Sequence, residues 1–428
     1  MHLASASNVA IWLMQGACSM YWGLLSVRNG LALEQWFELG SMLMELVWAT
    51  EDLVIAGRPY PGLPILLWDT MESCIPANDF IRHYLLRGAI GSKKSWPSIG
   101  RALYDFFSFL QAHDLDWHDV DRGEAKRLVA AYRDYSKEEG GLATTTIRQR
   151  LHYICKFYEY ANLQRWVSRL PFSYEERNVI NVNRFLGHIH PYVRKAVVND
   201  VMPRRHPTLP KFLTIDEARA LIKAAVNPHH RMIIRLGLQT GLRREEIATF
   251  PVAYVFDPDQ AGRHERNIRI HLDPYDGHGM LTKGGKQRDI YVSRRFLSDM
   301  YRYVIQTRGE REGLSKTKYQ PLFLNQFGRP YASDGKGLRR IINDIGKSVN
   351  IEVYPHMLRH TYATQTLAVL QRAQGRIDPL VFLQRQLGHS SIQTTMVYLH
   401  LVNELADSAV LTYDDELNGS DGVKCGQA

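Results

Sequence analysis

Four short segments in the second half of the chain carry residue types suited to chemistry on a phosphate. In Thr240-Gly241-Leu242-Arg243-Arg244-Glu245-Glu246-Ile247, a glycine precedes a helical run. Arg243, near that N-terminus, can face an anion together with the free backbone amides. Glu246 is three residues on, on the same helix face, where it can hold a guanidinium in place. Lys283 stands beside Gly284-Gly285, where a lysine can swing into a site as a mobile cation and proton donor. In His356-Met357-Leu358-Arg359-His360, His356 and Arg359 share a helix face. In Leu387-Gly388-His389 through Tyr398, a histidine and a tyrosine flank a short polar segment.

Taken singly, each segment has a plain alternative: a salt-bridged surface helix, a solvated turn lysine, a buried core histidine, a packed aromatic. His356 and His360 also have the spacing of two zinc ligands on a helix. No glutamate follows the first histidine, however, and Arg359 would set a cation against the metal, so no metal is expected. Taken together, two arginines, a lysine, two histidines and a tyrosine suit phosphoryl transfer without a metal or other cofactor. Guanidinium planes grip non-bridging oxygens bidentately and neutralise the charge that gathers in the transition state. A tyrosine hydroxyl can attack phosphorus and form an ester. Its free pKa is about 10, so the cationic cluster is expected to make Tyr398 more acidic.

The elements around these segments are legible. Thr214-Ile215-Asp216-Glu217 reads as a capping box that opens the domain. Asn267 to Leu272 alternates with period two, as a half-buried strand does. Met280 to Lys283, Gly284-Gly285 and Lys286 to Val292 read as a hairpin with a glycine turn, Lys283 at its tip. Upstream, Ile99, Leu103, Phe106, Phe107 and Leu110 form one apolar helical stripe, and Ile147, Leu151, Ile154, Phe157 and Tyr158 form another. The expected division is an extension of unknown role at 1–74, with an irregular Pro/Gly stretch from Gly57 to Pro64, and a helical domain at 75–180. A basic, proline-broken linker at 181–212, the second domain at 213–413 and a disordered acidic tail at 414–428 follow.

Of 428 residues, 45% are hydrophobic and 23% charged, which excludes a collagen-like, mucin-like or wholly disordered chain. The formal charge of +9 mildly favours a polyanionic partner. Four cysteines, none in a C-x-x-C pair, fit a reducing compartment, and the cytoplasm is the expected location. Met1 to Val27 holds no Lys, Arg, Asp or Glu. It lacks a basic n-region, and Asn8, Gln15, Gly16, Ser19, Gly23 and Ser26 interrupt its apolar residues. Neither a signal peptide nor a membrane span is expected.

The order of these segments resembles the tyrosine recombinases, the phage integrase family: T-G-L-R, a lysine before glycines, H-x-x-R, then L-G-H followed by the tyrosine. Ser95 to Leu110 and Thr144 to Tyr160 are more loosely similar to the family's helical core-binding domain. The resemblance implies a mainly α fold, with a helical SAM-like core-binding domain and a mixed α+β catalytic domain holding a small antiparallel sheet. It implies a site-specific recombinase or integrase of a mobile element, working through a 3′-phosphotyrosyl intermediate without metal or ATP. Arg243 and Arg359 would clamp the scissile phosphate. His356 would handle the nucleophile's proton, Lys283 would protonate the departing 5′-hydroxyl, and His389 would donate to the phosphate. Tyr398 would be the nucleophile and Glu246 the support. Lys286 is the rival of Lys283, and His360 and Tyr413 fall outside the implied site. The partners would be double-stranded DNA recombination sites, a homotetramer on paired sites, and accessory bending or directionality factors. The connection from Gln371 to Pro379 is longer than the family's usual one. A type IB topoisomerase would share the chemistry. A DNA-binding regulator on the same scaffold would lack it.

Overall fold

The computed structural model describes residues 44–87, 93–120, 127–180, 193–204, 209–372, 378–399 and 401–402. The chain divides into two units, 1–206 and 207–428.

In the first unit the two apolar stripes become buried helix faces. Four helices, α1 (Ile75–Leu86), α2 (Trp96–Ala112), α3 (Leu128–Glu138) and α4 (Thr144–Leu163), surround an aromatic core. Ile99, Leu103, Phe106, Phe107 and Leu110 of α2 are buried, as are Ile147, Leu151, Ile154, Phe157 and Tyr158 of α4. Edge-to-face pairs such as Phe107–Phe157 and Phe106–Tyr132, each 5.4 Å between centroids, fix these helices in place. Between them, Asp105 accepts from both Tyr132 and Arg150.

The stretch from Gly57 to Pro64, read as irregular, is part of a folded hairpin system. Strand β1 (Glu45–Trp48) pairs antiparallel with β4 (Pro64–Leu67). A smaller hairpin, β2 (Val54–Ile55) with β3 (Arg58–Pro59), lies between them and turns through Ala56 and Gly57, both at positive φ. Met44, Leu63 and Leu66 join the aromatic core, so this hairpin belongs to the helical unit. Asn78 of α1 locks it there. The buried amide donates to the Leu66 carbonyl at 2.7 Å, and its oxygen accepts the Leu66 N–H at 2.8 Å. Residues 1–43 of the expected extension lie outside the described residues.

Part of the expected linker also has regular structure. β5 (Tyr174–Ile180) and β6 (Val193–Asn199) pair antiparallel from Tyr174 opposite Asn199 to Ile180 opposite Val193. A composition reading of prolines and charges misses such pairing because the prolines lie outside the strands. Residues 181–192 are outside the described set, as are the tail 414–428 and 373–377 of the long connection.

The second unit opens as the capping box requires. Thr214 Oγ1 accepts the Glu217 N–H at 3.2 Å, and Glu217 accepts the Thr214 N–H at 2.8 Å, starting α5 (Ile215–Ala224). Next come α6 (Pro228–Thr240) and the short α7 (Arg244–Ala248). Strand β7 (Asn267–Leu272) buries Ile268, Ile270 and Leu272 and pairs with β8 (Arg288–Ser293), Leu272 opposite Arg288. The expected hairpin is therefore corrected. The partner of β8 is β7, and Lys283 sits in the connection 273–287, in a single 3₁₀ turn. The alternating apolar face of β7 matches Ile290 and Val292 across the pair, which Met280 to Lys283 cannot do.

Helix α8 (Arg294–Tyr303) runs on through a π turn, and α9 (Lys336–Ser348), α10 (Pro355–Arg372), α11 (Pro379–Leu387) and the helical residues 392–399, here α12, complete the unit. Helix α10 packs on α6, and α11 on α10 and β8. Ala363, Leu367, Leu383, Leu387, Tyr398 and Leu401 form a small apolar cluster joining α10, α11 and α12. Among the described residues, no helix is long and apolar enough to cross a membrane.

Candidate active site

The site is built from two helix ends. Helix α6 stops at Gly241, at φ 65°. A Cβ there would lie 2.5 Å from the ring of Tyr362, so the tight left-handed turn needs glycine on both counts. The turn delivers Arg243 to the start of α7, where the backbone N–H of Arg243 donates to Glu246 Oε2 at 2.7 Å and Nη1 donates to Oε1 at 2.9 Å. Helix α11 stops the same way at Gly388, also at φ 65°. A Cβ on Gly388 would lie 2.8 Å from Arg288 Cδ.

Arg359 spans the two ends. It is 1% exposed, and it donates to the Gly241 carbonyl at 2.6 Å and to the Leu387 carbonyl at 2.7 Å. Arg243 Nη2 donates to the adjacent Gly388 carbonyl at 3.3 Å. The adjacent carbonyls of Leu387 and Gly388 at the end of α11 thus hold both guanidinium groups. Burial, then the nearby Arg243 charge, lowers the Arg359 pKa to about 9, so it remains a cation at neutral pH.

Glu246, buried at 1% exposure, offsets part of this charge. Burial alone would push its carboxyl up. Hydrogen bonds and charge from Arg288, with Arg243 behind them, hold it at about 2 instead. Arg288 grips it as a fork, Nη1 to Oε1 at 2.9 Å and Nη2 to Oε2 at 2.7 Å.

Tyr398 approaches from α12. It is buried at 3% exposure within the small apolar cluster, and its hydroxyl lies 3.0 Å from His360 Nδ1. The His389 ring stacks on it, 6.2 Å between centroids and 9° between planes. His389 Nδ1 is fixed at 2.9 Å by Thr395 Oγ1. Burial and the arginine charges push His389 down to about 3. Burial and the charges of His356 and Arg359 push His360 down to about 3 as well. The expectation of a more acidic Tyr398 is corrected: burial raises its pKa, and Arg359 and Arg243 only partly offset that. The phenol is held protonated beside neutral imidazoles.

His356 lies at the exposed start of α10, its ring packed against that of His360 at 4.4 Å between centroids. Although the residue is exposed, partial desolvation of its ring lowers its pKa, and the charges of Arg359, Arg243 and Lys283 lower it further. Lys283 itself is exposed, and this influence on His356 is what sets it near the cluster. Among the described residues, no group of three or more His, Cys, Asp or Glu is placed to hold a metal ion.

Arg243 and Glu246 are therefore joined by hydrogen bonds, Arg359 is held through the Gly241 and Leu387 carbonyls, and His356, His389 and Tyr398 lie within the field of these groups. Two residues were missed. Arg288 occupies the inward phase of β8 with Ile290 and Val292, and a charge on an apolar phase is the signal that marks it. His360, set aside in the sequence, makes the hydrogen bond to the tyrosine. In sum the pocket offers a surplus of cations, a fixed phenol and neutral imidazoles. That combination suits transfer of a phosphoryl group to tyrosine.

Residues 211–404 match the Phage integrase family model, a span that contains all of these side chains. Residues 211–404 are a domain of the phage integrase family of tyrosine recombinases. The tyrosine recombinase XerC of Lacticaseibacillus casei is 24% identical over 308 residues, covering 70% of this chain and 85% of that protein. XerA of Pyrococcus horikoshii is 25% identical over 293 residues, covering 66% and 92%. In fold, the chain is similar to the XerH site-specific recombinase, solved in a post-cleavage complex with its difH substrate. The TM-score is 0.51 at 19% identity, over 79% of this chain and 84% of that one. The expected fold class stands, and the chain is a site-specific tyrosine recombinase by enzyme class.

Proposed function

We propose that this recombinase cuts and rejoins double-stranded DNA at specific sites through an ester between Tyr398 and a 3′-phosphate. Arg243 and Arg359 hold the non-bridging oxygens of the scissile phosphate. The Tyr398 oxygen bonds to phosphorus as the bond to the 5′-oxygen breaks, and Lys283 gives that oxygen its proton. His389 donates to the phosphate, the histidines of α10 handle the nucleophile's proton, and Glu246 supports the arginines. A 5′-hydroxyl from another strand then attacks the ester, so neither ATP nor a metal is needed. The complex is a homotetramer on paired sites, joined by accessory bending or directionality factors, acting in the cytoplasm on a mobile element.

One observation carries this reading. Adjacent carbonyls at the end of α11 hold both guanidinium groups, and both groups bear electrostatically on the Tyr398 hydroxyl. The test is a nicked duplex from the DNA flanking the gene, on which the leaving strand diffuses away and cleavage is trapped. Covalent protein–DNA product that disappears in Tyr398→Phe supports the reading. Binding without covalent product under any condition would instead indicate a regulator.

A further inference from the structure

We infer that His360 is a further catalytic residue, the group that accepts the proton of the Tyr398 hydroxyl. The resemblance to the family gives that role to His356, but the geometry favours its neighbour one turn along α10. The Tyr398 hydroxyl lies 3.0 Å from His360 Nδ1, within hydrogen-bonding reach. His356 packs its ring against that of His360, 4.4 Å between centroids, and is exposed. His360 directly follows Arg359, whose two carbonyl bonds tie this part of α10 to the ends of α6 and α11. The imidazole is thus presented to the phenol from a fixed support. With the phenol protonated and the imidazole neutral, the tautomer of His360 that carries its proton on Nε2 lets the phenol donate to Nδ1, the arrangement from which a proton can move.

The step balances. As the bond from Oη to phosphorus forms, the proton passes from Oη to Nδ1, and the bond from phosphorus to the 5′-oxygen breaks. That oxygen takes its proton from a different group, Lys283. On rejoining, Nδ1 returns the proton to Oη as the ester is cleaved. Burial, and then the charges of His356 and Arg359, disfavour a charged His360 in the free protein. The bound phosphate supplies the negative charge that offsets them.

The inference rests on the phosphotyrosyl reading, and the experiment separates the two. Trapping is run on a duplex with an ordinary 5′-oxygen at the scissile phosphate, and on one with sulfur in that bridging position. A thiolate leaves without needing a proton, so the sulfur substrate relieves the loss of a general acid but not of a base. His360→Ala and His360→Asn should each slow covalent-product formation by roughly 10²–10⁴-fold. Both should stay slow, relative to wild type, on the sulfur substrate. Lys283→Ala should be slow on oxygen and recover on sulfur. The asparagine amide can keep a hydrogen bond near Nδ1 but has no basic nitrogen. A near-wild-type rate for His360→Asn would therefore overturn the inference even if His360→Ala fails to fold. Recovery of either His360 variant on sulfur would overturn it too. If wild type gives no covalent product on either substrate, the phosphotyrosyl reading falls, and this inference with it.

Discussion

Glu246 and Arg288 form a two-pronged ion pair inside the catalytic unit, 2.9 and 2.7 Å long, with the carboxylate 1% exposed. Because Arg243 shares the same carboxylate, the pair also positions a guanidinium expected to meet the phosphate. Glu246→Gln leaves Arg288 and Arg243 with no anion in a buried place. Breaking one side of a buried pair costs about 3–5 kcal/mol, so thermal unfolding of this unit should move clearly downward. Differential scanning calorimetry of the variant measures it.

The same carboxylate sets a pH dependence. Its pKa is about 2 when folded, against an ordinary value of 4.5. A depressed pKa stabilises the fold fully above the ordinary value, and that contribution disappears as pH falls from about 4.5 toward 2. Denaturant titrations across this range should show wild type losing stability on acidification. Glu246→Gln, which lacks the group, should lose less, so the gap between them should narrow.

In the first unit, Asn78 is expected to matter more than its size suggests. Its amide satisfies both backbone groups of Leu66. Asn78→Ala takes that partner from the buried Leu66 N–H, at a cost of about 1–3 kcal/mol, while the Leu66 carbonyl keeps the Cys74 N–H at 3.0 Å. Hydrogen exchange should show the hairpin from Glu45 to Leu67 losing protection before the aromatic core does.

Tyr398 and both arginines lie in one subunit, so cleavage should occur in cis. A mixture of Arg359→Ala and Tyr398→Phe proteins on a trapping substrate should give no covalent product beyond the residue left by each alone. Strong recovery in the mixture would mean that the tyrosine is donated between subunits. Arg359→Ala alone should lower the cleavage rate roughly 10²–10³-fold, read as single-turnover covalent product.

Much of this site is visible in the sequence because its parts lie in short segments whose local structure is simple. A glycine ends a helix, an arginine follows, and i, i+3 spacing places His356 and Arg359 together. The strand Asn267–Leu272 is equally plain, since every second side chain is buried. The pairing of β7 with β8 is not, because it depends on register across the connection 273–287 and the glycines invite a shorter turn. Arg288 escapes notice because its only meaning is tertiary: it answers Glu246, 42 residues away. His360 stands beside the recognised motif, and only the fold of α12 back onto α10 gives it a partner. The rise in the Tyr398 pKa follows from burial, which the sequence does not reveal beside so many cations.

The chemistry turns on which oxygen becomes joined to DNA. Trapped covalent complex can be digested with protease and nuclease, and the nucleotide-bearing peptide sequenced by mass spectrometry. The expected product is a single phosphoryl adduct on Tyr398, absent from Tyr398→Phe. An adduct on Tyr413, on another tyrosine, or on a serine would contradict the assignment.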